Sequence, residues 1–167
     1  YERKRNYPRF RSPETCIQEI EEVVEKYSKD IDFIWILDDI FGLNNEWREE
    51  FCEKYRKRIK KKFMVQARVE MANDHLFSLL KGAGCFRVLF GVESGNETVR
   101  NEIMGRKMTN DDIINAFDLC HKHGLETLAV NIIGIPGESE EMILDTINLN
   151  RRLNPTISGV NIFYPYR

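Results

Sequence analysis

The sequence has only four cysteines, Cys16, Cys52, Cys85 and Cys120, and each lies more than thirty residues from the next. No C-x-x-C or related ligand spacing occurs, so neither a thiolate metal site nor a disulfide framework can be read from them. Three fall inside helix-period segments and Cys85 directly precedes a strand. They read as reduced, mostly buried thiols of a cytoplasmic protein. Histidine is scarcer still. His75 sits in the first turn of a helix, and His121 and His123 in a last turn, where a cation suits the dipole. No histidine ends a strand, which argues against a His-ligated metal and a Ser-His-Asp triad. No run of 18 apolar residues is present, so no membrane span is expected. Tyr1-Glu2-Arg3-Lys4-Arg5 offers no apolar stretch for a signal peptide. There is no G-x-G-x-x-G after the first strand and no P-loop, which weakens a nucleotide-binding doubly wound sheet. With net charge −2, the chain has no global basic field for nucleic acid. The one basic run, Arg56 to Lys62, reads as a helix C-terminus.

What is present is an ordinary globular composition, 42% hydrophobic and 31% charged over 167 residues, enough for one domain or part of one. No linker or low-complexity tract divides it, so residues 1–167 read as a single domain. Residues 1–11 are basic, aromatic and irregular. Ser12-Pro13-Glu14 opens a helix with an N-cap, a proline at the first position and an early acid. The continuous apolar run Phe33–Leu37 predicts a strand buried on both faces. Trp47, Phe51, Tyr55 and Ile59 step by four along a helix. Strands are predicted at 63–68, 86–92, 125–133 and 157–163. Helices fill the gaps, one capped at Asn73 or Asp74 and stopped by Gly84, one opened by Thr109-Asn110-Asp111-Asp112 and one started at Glu138 or Ser139. Strict alternation of helix and buried strand implies a parallel sheet with right-handed crossovers, and a barrel or partial barrel in particular.

Polar groups gather where the strands end. They are Asp38 and Asp39, then Gln66 and Arg68, then Glu93 and Ser94, then Asn131 with the turn Gly134-Ile135-Pro136-Gly137-Glu138, and finally Tyr164. Each alone reads as a turn or a cap. Together they mark one rim, and the carboxyl end of a parallel sheet is where such folds build sites.

These residues carry a resemblance. The chain resembles the core of a radical S-adenosylmethionine (SAM) domain, of the subgroup often associated with cobalamin-binding domains. The matching stretches are Arg11-Ser12-Pro13-Glu14, Asp38-Asp39-x-Phe41, Gln66-x-Arg68, Gly91-Val92-Glu93-Ser94-Gly95, Arg106-Lys107-Met108-Thr109 and Gly134-Ile135-Pro136-Gly137-Glu138. The resemblance implies a (βα)6 partial barrel of which this chain supplies strands two to six. The first strand and the C-x3-C-x2-C loop that binds a [4Fe-4S] cluster are expected upstream of Tyr1, so that the fragment alone would be inactive and hold no cluster.

The resemblance also implies the chemistry: the cluster, fed by an electron donor, reduces SAM to methionine and a 5′-deoxyadenosyl radical that acts on a small-molecule substrate. Cobalamin, where used, sits in a separate domain. Asp38 and Asp39 match the place of the SAM amino group, Glu93 and Ser94 that of the ribose hydroxyls, and Arg106 that of the carboxylate. Arg68 and Asn131 share the rim, and the Gly134–Pro136–Gly137 backbone matches the place of adenine. Within this reading a cobalamin-dependent methyltransferase or cyclase and a tRNA-modifying enzyme are two forms. A non-catalytic barrel used as a binding module is the alternative outside it. Loss of the first strand is further expected to leave the Phe33–Leu37 edge open to self-association.

Overall fold

The structure, a computed structural model, describes residues 11–165. The irregular segment expected over residues 1–11 lies outside the described residues, apart from Arg11. Five helices and five strands alternate: α1 (Pro13–Tyr27), β1 (Phe33–Ile36), α2 (Asn45–Arg58), β2 (Lys62–Ala67), α3 (Asp74–Ala83), β3 (Cys85–Glu93), α4 (Asn110–Lys122), β4 (Glu126–Ile133), α5 (Glu140–Leu153) and β5 (Ile157–Ile162). The strands are parallel and lie in sequence order, β1-β2-β3-β4-β5, forming part of a barrel wall with the carboxyl ends of all five at one end.

Local chemistry sets most boundaries. Ser12, Asn73, Thr109 and Ser139 each accept a backbone N–H from the third residue after them, closing helix N-termini. Thr109 and Asp112 complete a reciprocal capping box. Gly84 ends α3 in the left-handed region at φ 99°, where only glycine is unstrained. The basic run is paired in part: Arg58 pairs with Glu14 and Glu21, Lys57 pairs with Glu53, and Lys61 donates to the carbonyls of Ser28 and Ile31.

Alternation along the strands divides the sheet's faces. Phe63, Val65, Ala67, Val88, Phe90, Val92 and Ala129 point to the helix layer and form its core with Phe51, Phe77 and Phe117. Aromatic rings meet there in a chain, Phe77 against Phe90 at 6.3 Å and Phe90 against Phe117 at 5.1 Å. Truncating such a ring typically costs about 3–5 kcal/mol. Cys52, Cys85 and Cys120 lie in the same core as free thiols.

One element departs from expectation. The run Phe33–Leu37 is not buried on both faces: Phe33, Trp35 and Leu37 are 40%, 46% and 79% exposed. Only Ile34 and Ile36 pack on the core. The cause is position: β1 is a terminal strand of the sheet, and among the described residues no helix covers the opposite face. A continuous apolar run shows that a strand lacks a polar face, not that both faces are covered.

Among the described residues nothing pairs with the outer side of β1, which carries no proline or charge within it. The 167-residue chain is therefore expected to sediment as a dimer or larger species, with Trp35→Lys raising the monomer fraction. A wild-type chain that stays monomeric at high concentration in sedimentation velocity would contradict this.

Candidate functional site at the carboxyl ends of the strands

The rim is built from loops that fold back on themselves through charged side chains. After β1, Asp38 and Asp39 are exposed, and the loop behind them is pinned. Phe41 N–H donates to Gln66 O at 3.0 Å and Gln66 Nε2 donates to Asp39 O at 3.3 Å. The guanidinium of Arg48, a residue 6% exposed, donates to Gly42 O at 2.6 Å and also to Asn45 Oδ1. Gly42 is at φ 57°, and a Cβ there would come within 2.0 Å of the Arg48 stem, so glycine is required on both counts. Arg68, at the end of β2, is exposed and precedes a short 3-10 turn, Val69–Met71.

The end of β3 is the most constrained part. The β3–β4 register shifts between Gly91 and Glu93, and Glu93 takes φ 67°, a conformation costly for a residue with a side chain. The turn swings the Glu93 carboxylate back over Gly91, where a Cβ would lie 2.5 Å from its Oε1. Arg106 Nη1 reaches that same oxygen at 3.1 Å. Glu93 is mostly buried and Arg106 a third exposed. Burial raises the Glu93 carboxyl above the usual carboxylate range, and the Arg106 charge opposes that shift. The following Gly95 lies against α5, where a Cβ would meet Asp145 O at 2.3 Å.

After β4, Gly134 and Gly137 adopt φ 79° and 88°. Glu138 Oε2 accepts the N–H groups of Gly134 and Ile135 at 2.7 and 3.3 Å, so Glu138 closes this turn while Ser139 caps α5. Gly134, Pro136 and Gly137 are exposed, leaving backbone accessible at the rim.

Two expected rim residues lie elsewhere. Ser94 is fully buried, its hydroxyl 3.3 Å from Thr146 Oγ1 and accepting the Asn96 N–H. Ser94 is in phase with Phe90 and Val92, which face the helix layer. Asn131 is also fully buried and faces the helix layer, in phase with Ala129. Its amide donates to Asn150 Oδ1 at 3.2 Å and Gly159 O at 3.1 Å. It lines a groove of about 450 Å³ between α5 and β5, on the side of the sheet away from the Glu93–Arg106 pair. Its position near a strand end gave the sequence position, but parity in the strand decides the face. Arg100, which no motif or spacing in the sequence singles out, is fully buried beneath this rim.

The donors fit a zwitterionic, hydroxyl-bearing ligand: carboxylates at Asp38, Asp39 and Glu93, a guanidinium at Arg106 and open backbone at 134–137. They do not fit an iron–sulfur cluster. Cys52, Cys85 and Cys120 lie in the core on the helix side of the sheet, not at the rim, and burial pushes each thiol up to about 12. No group of three or more potential metal ligands occurs among the described residues.

Comparison with known proteins follows the same lines. The profile of the Radical SAM superfamily matches residues 1–149. The chain is 29% identical over 160 residues to an uncharacterized methyltransferase of Pyrococcus horikoshii, covering 95% of this chain and 34% of that protein. It is 26% identical over 161 residues to the anaerobic magnesium-protoporphyrin IX monomethyl ester cyclase of Rubrivivax gelatinosus, covering 95% of this chain and 28% of that one. The chain thus spans about a third of the length of these relatives. The fold superposes on the radical SAM methyltransferase TsrM of Kitasatospora setae, solved with cobalamin and a [4Fe-4S] cluster. The TM-score is 0.75, with 19% identity, 91% of this chain covered and 29% of that one.

Because the folded state holds Glu93 with a raised pKa, its ionisation opposes folding. The contribution is lost as pH rises through that folded value, and the group is neutral in both states well below the ordinary carboxylate range. Glu93→Gln is therefore expected to melt at a higher temperature than wild type at pH 7, with the gap closing as pH falls below about 4. A variant less stable at pH 7 than wild type would show that the Arg106 pair outweighs the burial.

Proposed function

The chain belongs to the radical SAM superfamily, and from that premise we propose that it forms the SAM-holding wall of a radical SAM enzyme of the cobalamin-dependent methyltransferase or cyclase kind. The observation that carries this reading is the Glu93–Arg106 pair. A carboxylate is kept in strained backbone and partial burial at a strand end, an arrangement that opposes stability and so points to use. The methyltransferase and cyclase names of two relatives and the cobalamin-bound structural neighbour support that kind; another relative, 26% identical over 162 residues, is named a tRNA-2-methylthio-N(6)-dimethylallyladenosine synthase, so a tRNA-modifying enzyme stands as the second reading.

When bound and reduced, SAM supplies the 5′-deoxyadenosyl radical; the residues of this chain bind and orient it. In this reading Arg106 offers its fork to the SAM carboxylate. Glu93 accepts from ribose hydroxyls, Asp38 and Asp39 receive the ammonium, and the open backbone of Gly134–Gly137 lies along the adenine. Arg68, exposed at the same end of the sheet, is the least committed member. Ser94 and Asn131 support the wall from behind rather than touching the ligand. The cluster, its electron donor, cobalamin and a small-molecule substrate are engaged by parts of the protein beyond these residues.

Two measurements test this. Calorimetric titration of SAM into the full-length, cluster-reconstituted protein is expected to show Arg106→Ala weaker by about 1.5–3 kcal/mol, the usual worth of a hydrogen bond to a charged group. Unchanged affinity would remove Arg106 from the site. Anaerobic reconstitution of the 167-residue chain alone is expected to yield no stable sulfur-to-iron charge-transfer absorbance, and a stoichiometric cluster there would contradict the assignment of its ligands elsewhere.

A further inference from the structure

We infer that Arg100 is the positioning residue for the Glu93–Arg106 pair; this rests on the reading of that pair as part of the SAM site. Arg100 lies in a single π-helical turn, Val99–Ile103, a rare geometry that recurs at functional sites. It is fully buried, yet no carboxylate lies within hydrogen-bond distance of it. The nearest, Glu97, is 3.6 Å away, half exposed, and already accepts the Asn110 N–H.

What holds the guanidinium is the backbone of the two segments that carry the pair. Nη1 donates to Ser94 O at 2.5 Å, one residue after Glu93. Nε and Nη2 both donate to Met108 O, at 3.1 and 2.9 Å, two residues after Arg106. Nη1 also donates to Asn110 Oδ1 at 2.9 Å, and Asn110 in turn donates to Gly95 O at 3.1 Å. The main-chain carbonyl of Arg100 accepts the N–H of Arg106 itself at 2.9 Å. One residue therefore joins the end of β3 to the loop bearing Arg106, and its planar fork spans both at once. A side chain needed only to fill the core would be apolar here, since burying a guanidinium is costly. Its acceptors all belong to the rim loop and the start of α4, and none to the sheet core. The chain from Ser94 to Thr109 is also held by Gly95 N–H to Thr146 Oγ1, Asn96 Nδ2 to Asp145 Oδ2 and Met108 N–H to Asn101 Oδ1, but none of these bonds reaches Arg106 or the Gly105 before it, which stands at φ 69° with open space around it.

The consequence is a coupling between residues 100 and 106. Lysine at 100 keeps the charge but cannot span Ser94 O and Met108 O in a plane, so the loop loosens and Arg106 loses its aim. The test uses the full-length protein. In the absence of ligand, Arg100→Lys is expected to speed hydrogen exchange at amides 94–95 and 104–108, while the strand cores of β3 and β4 keep their protection. With SAM as the probe and the cluster reconstituted, Arg100→Lys is expected to weaken binding about tenfold. In an Arg106→Ala background the same change is expected to weaken it little further, because its effect runs through Arg106. A general structural role would instead lower protection throughout and give equal losses in both backgrounds, and either result overturns the inference. Unchanged exchange at 104–108 also overturns it. If Arg100→Lys does not fold, Asn110→Ala, which removes one anchor of the guanidinium, is read against the same outcomes. If the wild-type protein fails to bind SAM, the cofactor reading falls, and the exchange experiment still decides the role of Arg100.

Discussion

The rim depends on the bend at the end of β3. The β3–β4 register shifts between Gly91 and Glu93 and Glu93 takes a positive φ, so the strand ends in a sharp turn while its side chains go on alternating between the two faces. The Glu93 carboxylate is thrown onto the face opposite the helices, and Ser94 is turned into the layer behind. Gly91 must lack a side chain for the carboxylate to fold back, and Gly95 must lack one for the turn to seat on α5. Three residues of the Gly-Val-Glu-Ser-Gly stretch are thus dictated by one bend, which is why that stretch is so specific to its place.

A second regularity is that charged side chains brace the loops from inside. Arg48 takes the carbonyl of Gly42 behind the Asp38–Asp39 loop, Arg100 takes those of Ser94 and Met108, and Glu138 takes the amides of Gly134 and Ile135. Loops of this kind cannot satisfy their own backbone groups as a strand or helix does. An ionised side chain supplies the strongest bonds to an orphaned carbonyl or amide. The cost of desolvating each charge is offset by these bonds, which hold the rim loops in place.

Much of the fold was legible because its determinants are local. Caps at Ser12, Asn73, Thr109 and Ser139, the stop at Gly84 and the alternation of strands and helices all read from residue type and spacing. The error at Phe33–Leu37 came from a property that spacing does not encode, namely which neighbours a strand has. The site was legible as a set of motifs but not as a set of orientations. Asn131 shares a strand with the rim turn yet faces the helices, because its parity matches Ala129. Arg100 was invisible because a buried arginine and a surface one look alike until the carbonyls around it are known.

The account stands most directly on what touches the ligand. A crystal structure of the full-length protein with SAM bound is predicted to place the Glu93 carboxylate and the Arg106 guanidinium within hydrogen-bond distance of SAM, with Ser94 and Asn131 still turned into the layer behind. Density for SAM that leaves the Glu93–Arg106 pair intact and uncontacted, or that lies in the groove beside Asn131, would contradict it.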